Sequence, residues 1–73
     1  MNYVVYFYGS DIDSYVLECA SECNQIITGI FTSNDDTIGI EFRSNRRFER
    51  DMFLAQMNAK KSQVFFDRYE VIS

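Results

Sequence analysis

Few side chains in this 73-residue chain are of a type that does chemistry. They fall into four groups: Asp11 and Asp13 just after an apolar run, Asp35 and Asp36 after Asn34, the pair Cys19 and Cys23, and four arginines (Arg43, Arg46, Arg47 and Arg50) close together. There is no histidine, so no imidazole base can activate a serine or cysteine, and the usual His-containing zinc sets are absent. Cys19 and Cys23 stand one residue wider than a C-x-x-C redox pair, and no basic neighbour is placed to lower a thiol pKa. Their spacing is also one helical turn, and cysteine is among the most buried residue types, which makes both core residues. Hard cations take about 6–8 oxygen ligands. The Asn34-Asp35-Asp36 segment has no second acid cluster near it and reads as a solvated turn. The expectation is a protein that is not an enzyme, with no cofactor and no metal site.

Asp11-Ile12-Asp13 resembles the Asp-x-Asp nucleophile motif of haloacid-dehalogenase-like phosphatases over those residues alone. That fold requires a longer parallel sheet with distant lysine and acidic partners, which 73 residues cannot supply. Helix capping by acids is the reading adopted. The arginines say more. Asp11, Asp13, Glu18 and Glu22 make the first helical segment acidic, whereas Arg46, Arg47, Arg50, Lys60 and Lys61 make the second basic. Positive charge at a helix start opposes the macrodipole by about 0.3–1 kcal/mol per residue. Arg43, Arg46, Arg47 and Arg50 are therefore read as a surface for an anionic partner, with Arg47–Asp51 pairing on a solvated face as the plainer account.

Composition bounds the rest. The chain is 47% hydrophobic and 16% aromatic, with a net charge of −4 and no proline or tryptophan. That is too apolar for intrinsic disorder, and no window reaches the ~20 apolar residues of a membrane helix. Its acidity disfavours nonspecific binding to nucleic acid or anionic membrane. The N-terminal apolar run is short and lacks a basic flank, so an export signal is not expected, and a cytoplasmic location (host cytoplasm if viral) with reduced thiols is. Phe, Tyr, Met, Ile, Asn and Lys outnumber Gly, Ala, Arg and Pro by 29 to 11, a codon bias that points to an AT-rich genome such as that of a tailed phage.

One domain spanning residues 1–73 is expected. Tyr3 to Tyr8 are consecutive β-formers, apolar on both faces as in a central strand. Gly9-Ser10-Asp11 ends the run, and Ser10 with Asp13 suggests a capping box for a helix whose stripe is Ile12, Val16, Cys19, Ala20 and Cys23, ending near Asn24. Residues 26–33 and 37–44 read as a hairpin that pairs Ile27 with Phe42, Gly29 with Ile40 and Phe31 with Ile38 on one face, leaving Ile26, Thr28, Ile30, Glu41 and Arg43 on the other. Ser44 or Asn45 is expected to cap a second helix running to about Ala59. Residues 62–72 form a fourth strand, at an edge and with a bulge near Asp67. Strand, helix, strand, strand, helix, strand predicts an α+β fold, the ferredoxin-like split βαβ sandwich, with two helices on one face of a four-stranded antiparallel sheet.

The second helix is apolar on two sides. Phe48, Met52, Ala55 and Ala59 are assigned to the core, which leaves Phe53, Leu54 and Met57 facing outward among arginines, the residue types of an interface. The reading is a non-enzymatic protein-binding module, a phage-encoded inhibitor or adaptor that engages a host or defence protein through Arg43, Arg46, Arg47, Arg50, Phe53, Leu54 and Met57. Two alternatives stand beside it. The element order and the glycine after the first strand resemble ACT-type regulatory domains, although Ser10-Asp11 replaces the usual proline-glycine; the resemblance implies a homodimer binding a small ligand. The open sheet face could also take single-stranded nucleic acid, though the third strand lacks the glycine-aromatic signature of RNA-recognition motifs.

Overall fold

A computed structural model describes residues 1–33 and 35–73; Asn34 of the expected turn lies outside the described residues. The order is β1 (Asn2–Tyr8), α1 (Ser14–Glu22), β2 (Ile26–Thr32), β3 (Thr37–Arg43), α2 (Arg47–Ala59), α3 (Lys61–Val64) and β4 (Phe66–Val71). The strands form one antiparallel sheet in the order β2-β3-β1-β4. β1 is central, as its uniformly apolar sequence requires. Tyr3, Val5 and Phe7 of β1 and Ile40 and Phe42 of β3 face Val16, Cys19, Ala20 and Cys23 of α1 and Phe53, Leu54 and Met57 of α2 in a single core. Both long helices therefore cover the same sheet face. Phe42 ties the layers together: its ring stacks on Tyr3 at 5.5 Å and meets Phe53 edge-on at 4.9 Å.

Three local expectations change. α1 is capped by Asp13, whose carboxylate accepts from the Tyr15 N–H at 2.8 Å, rather than by a Ser10–Asp13 box, and its first turn carries no acid. Asn24 ends it in the left-handed conformation (φ 57°) that asparagine tolerates. α2 has Arg46 at its N-cap with no side-chain cap, because Ser44 is turned inward. The fourth strand is shorter than expected. Residues 61–64 form α3, and Phe65 (φ 60°) reverses the chain into β4. β4 does lie at an edge with a register shift opposite Tyr6/Phe7 that sets Asp67 out of the ladder.

The hairpin register is as expected at Ile27–Phe42, but a bulge at Thr28 moves the remainder by one residue, so Gly29 faces Glu41, Ile30 faces Ile40 and Phe31 faces Gly39. A one-residue shift exchanges faces. Ile30, not Phe31, therefore lies on the helix side. Phe31 crosses the open face, its ring lying where a Cβ on Gly39 would be only 2.4 Å away. Only glycine admits that approach.

The α2 assignment reverses. Phe53 and Met57 are fully buried and Leu54 nearly so, whereas Phe48 and Met52 are 57% and 53% exposed, with Ala55 and Ala59 also at the surface. Phe53, Leu54 and Met57 are consequently core residues and cannot meet a partner. Truncation separates the two stripes. Phe53→Ala is expected to lose about 3–5 kcal/mol, much of a small domain's margin, and Phe48→Ala to stay within about 0.5 kcal/mol. Chemical denaturation of the two variants checks this.

Candidate functional site

Where β1, β2, β3 and α2 converge, polar side chains are buried in one chain of hydrogen bonds. The Tyr3 hydroxyl donates to Gln25 Oε1; Gln25 Nε2 donates to the Cys23 carbonyl at 2.8 Å and to Ser44 Oγ at 3.1 Å; Ser44 Oγ donates to the Arg46 carbonyl at 2.8 Å. Gln25 and Ser44 are buried, and among the described residues no buried side-chain polar atom is left without a partner. Burial holds the Tyr3 phenol well above the usual tyrosine range, with the nearby Arg50 guanidinium acting in the other direction. This is a structural lock. Sequence reasoning missed it because Tyr3, Gln25 and Ser44 lie far apart in the chain and match no local pattern.

The four arginines are not one patch. Arg43 follows Phe42, which faces the core, and so lies on the open face between Asn2 and Ile26. Arg46 is the N-cap of α2 and Arg47 is exposed beside it. Arg50 folds inward, its side chain only 13% exposed, and its guanidinium pairs with Asp51 at 3.0 Å. The acid Asp51 is thus taken by Arg50, not by Arg47. Arg43, Arg46 and Arg47 form no ion pair among the described residues. Beside Arg46 an open groove of about 620 Å³ is lined also by Ser21, Asn24, Gln25, Ile26, Asn45 and Glu49. Asn24 Nδ2 donates to Glu49 there at 2.6 Å. A carboxylate on the groove wall offsets Arg46 and makes the groove a poor anion site.

On the open face the Arg68 guanidinium lies 4.0 Å from the Tyr6 ring centroid, and Phe31 meets the same ring edge-on at 6.0 Å. Arg68 also pairs with Asp35, Asp67 and Glu70, and Tyr8 donates to Asp67 at 2.7 Å. Thr28 donates to Glu41 at 2.8 Å. The aromatic centre of this face is occupied by the protein's own groups and ringed by carboxylates.

Cys19 and Cys23 are buried free thiols, as their spacing suggested. Burial, then the neighbouring Cys23, pushes the Cys19 thiol up to about 11, so it is protonated and poorly nucleophilic at neutral pH. No group of three or more His, Cys, Asp or Glu among the described residues is placed to hold a metal ion.

No protein-family model, curated protein or solved structure matches this chain.

The candidate surface that remains is the outer stripe of α2. Phe48, Met52, Ala55 and Ala59 recur at helical spacing on the side opposite Phe53 and Met57, and Arg46 and Arg47 stand at the same end. None of the helices described is long and apolar enough to cross a membrane.

Two tests address the buried groups. Gln25→Ala leaves the Tyr3 hydroxyl without its acceptor and is expected to lose about 1–3 kcal/mol. The Tyr3→Phe/Gln25→Ala double variant is expected to lose less than the sum of the singles, as a double-mutant cycle measures. Cys19 and Tyr3 hold their protons more tightly folded than unfolded. The Cys19 contribution is therefore complete below the unfolded thiol value of 9.0 and is lost as pH rises through about 11, whereas that of Tyr3 is complete below the unfolded phenol value of 10.0 and declines only above it. Urea titrations should show stability falling across that window, with a shallower slope for Cys19→Ala.

Proposed function

We propose that this chain is a small, non-enzymatic protein-binding module on a ferredoxin-like βαββαβ scaffold, with α3 as an added turn before β4. The central pair β1 and β3, flanked by β2 and β4 and covered on one side by α1 and α2, supports the scaffold reading. The observation that carries the functional reading is the second apolar stripe of α2. A helix in a two-layer sandwich has one face to bury, and α2 has met that requirement with Phe53, Leu54 and Met57. Exposed Phe48 and Met52 are then surplus to the fold, and aromatic, methionine and arginine side chains together are the composition of an interface core.

The partner is a protein with an apolar groove and acidic flanks, the latter meeting Arg46 and Arg47. In keeping with its AT-rich codon bias, we read the chain as a phage-encoded inhibitor or adaptor directed at a host or defence protein in the host cytoplasm. Single-stranded nucleic acid is the weaker reading, because Tyr6 is already covered by Arg68 and Phe31 and the face carries Glu41, Asp67 and Glu70. An ACT-like ligand-binding dimer rests on element order and the glycine after β1 alone.

The test compares the wild-type chain with Phe48→Glu/Met52→Glu, both as bait in lysate of the candidate host. The double variant is expected to keep its thermal melt, since both positions are exposed, and to lose the stoichiometric partner. A wild-type chain that captures none, or a folded double variant that retains the same partner in equal yield, overturns the α2 reading.

A further inference from the structure

The two edges of the sheet are built differently. β4 carries Asp67, Arg68 and Glu70 and has a bulge, the usual devices that stop a free edge from pairing. β2 has a bulge at Thr28 but no charge: residues 25–34 run Gln-Ile-Ile-Thr-Gly-Ile-Phe-Thr-Ser-Asn in a chain of net charge −4. Among the described residues its one sheet neighbour is β3. Its side chains are left open, Ile27, Ile30 and Phe31 being 40%, 58% and 42% exposed. Beside Ile30 an open groove is lined by Ile12, Phe31 and Ile38, with Ser10, Asp11 and Thr32 at its polar side.

The register fixes which backbone groups are free. The Ser33 N–H bonds the Thr37 carbonyl at 2.9 Å, so Ser33–Thr37 is a hydrogen-bonded pair. Antiparallel ladders alternate, which makes Phe31–Gly39 and Gly29–Glu41 hydrogen-bonded as well and turns the N–H and C=O groups of Ile30 and Thr32 outward. These unpaired groups on an apolar, uncharged strand are a template for one more strand.

We infer that β2 pairs antiparallel with β2 of a second copy about a two-fold axis at Ile30, joining two sheets into one of eight strands. The strand is complementary to itself in this register. Ile30 faces Ile30 on the helix side, where the groove by Ile12 and Ile38 receives apolar contact. On the open face Phe31 stands opposite Gly29 of the other copy. Phe31 leans away over Gly39, and a Cβ at Gly29 would meet only the Glu41 Cβ, at 3.9 Å, so nothing obstructs the approach of the backbones. No charged residue lies within the paired segment of either copy, so two acidic chains meet along it without like-charge opposition. The charged β4 edge disfavours a head-to-tail β2–β4 contact, which would not close, and leaves the closed pair as the product. This inference uses a different element from the outer stripe of α2 and stands or falls apart from it.

Analytical ultracentrifugation of the full chain at about 1–100 µM is the test, a range over which a micromolar dimer dissociates. The wild type is expected to run as a dimer at the upper end. Ile30→Lys is expected to weaken the dimer by at least about tenfold, while its thermal melt at low concentration stays that of the wild-type monomer, because Ile30 is exposed. Phe48→Glu/Met52→Glu is expected to dimerise as the wild type does. Ile30→Cys is expected to give a covalent dimer under mild oxidation, with Cys19 and Cys23 buried and silent. A wild-type monomer throughout the range, a dimer indifferent to Ile30→Lys, or one abolished by the α2 double variant overturns the proposal.

Discussion

The polar chain from Tyr3 through Gln25 and Ser44 to the Arg46 carbonyl fixes how the rest of the molecule is assembled. Its members come from β1, the turn after α1, the turn after β3 and the start of α2, so one set of hydrogen bonds positions both helix–strand corners. A buried amide is costly unless every donor and acceptor is met, and here each is. Ser44 illustrates the consequence. By turning inward to serve Gln25 it ceases to cap α2, whose first turn is left with Glu49 as its favourable charge. The chain terminus is held at the same corner: the Met1 ammonium donates to the Ser44 carbonyl at 3.1 Å, and the Ser44 N–H donates to the Met1 carbonyl at 2.9 Å.

With the start of α2 held there, its rotation follows. Arg50 lies on the inward side with Phe53, Leu54 and Met57, its charge felt by the Tyr3 phenol and its guanidinium reaching Asp51, whereas Arg46 at the N-cap stays exposed. An arginine cluster that looks uniform along the chain is divided by this geometry into one residue on the open sheet face, two at the helix start and one largely withdrawn. Charge counted along a sequence has no address until the helix phase and the strand parity are known.

That separates what the residues announce from what they conceal. The central position of β1, the α1 core stripe, the burial of both cysteines, the edge position of β4 and its bulge all follow from local pattern, because each rests on a period or a turn within a few residues. The α2 phase does not. Phe48, Met52, Ala55 and Ala59 form as regular an apolar stripe as the buried one, and periodicity cannot rank two stripes on opposite sides. The inward stripe is chosen by contacts made with Phe42 and Tyr3, far away in the chain. The β2 register fails for a related reason. The Thr28 bulge changes the parity of everything after it, and what favours the shifted pairing is Phe31 lying over Gly39 against Tyr6, a three-strand arrangement that a hairpin alone does not contain.

The corrected assignments sharpen the argument for surface function. If Phe53, Leu54 and Met57 had faced outward, Phe48 and Met52 would have been the core, and one apolar face would have remained to explain. With the assignment reversed one face still remains, carried by exposed Phe48 and Met52 and bordered by Arg46 and Arg47, while a second apolar region emerges along β2. A domain of this length buries only about 60% of the surface of its unfolded chain, so some apolar exposure is ordinary. Ordinary exposure is scattered, however, and here it is organised: one stripe at helical spacing and one strand without a charge. The β4 edge, with Asp67, Arg68 and Glu70, carries the charges that oppose edge pairing, and β2 carries none. The contrast between its two edges is the strongest internal sign that β2 is left open to a partner.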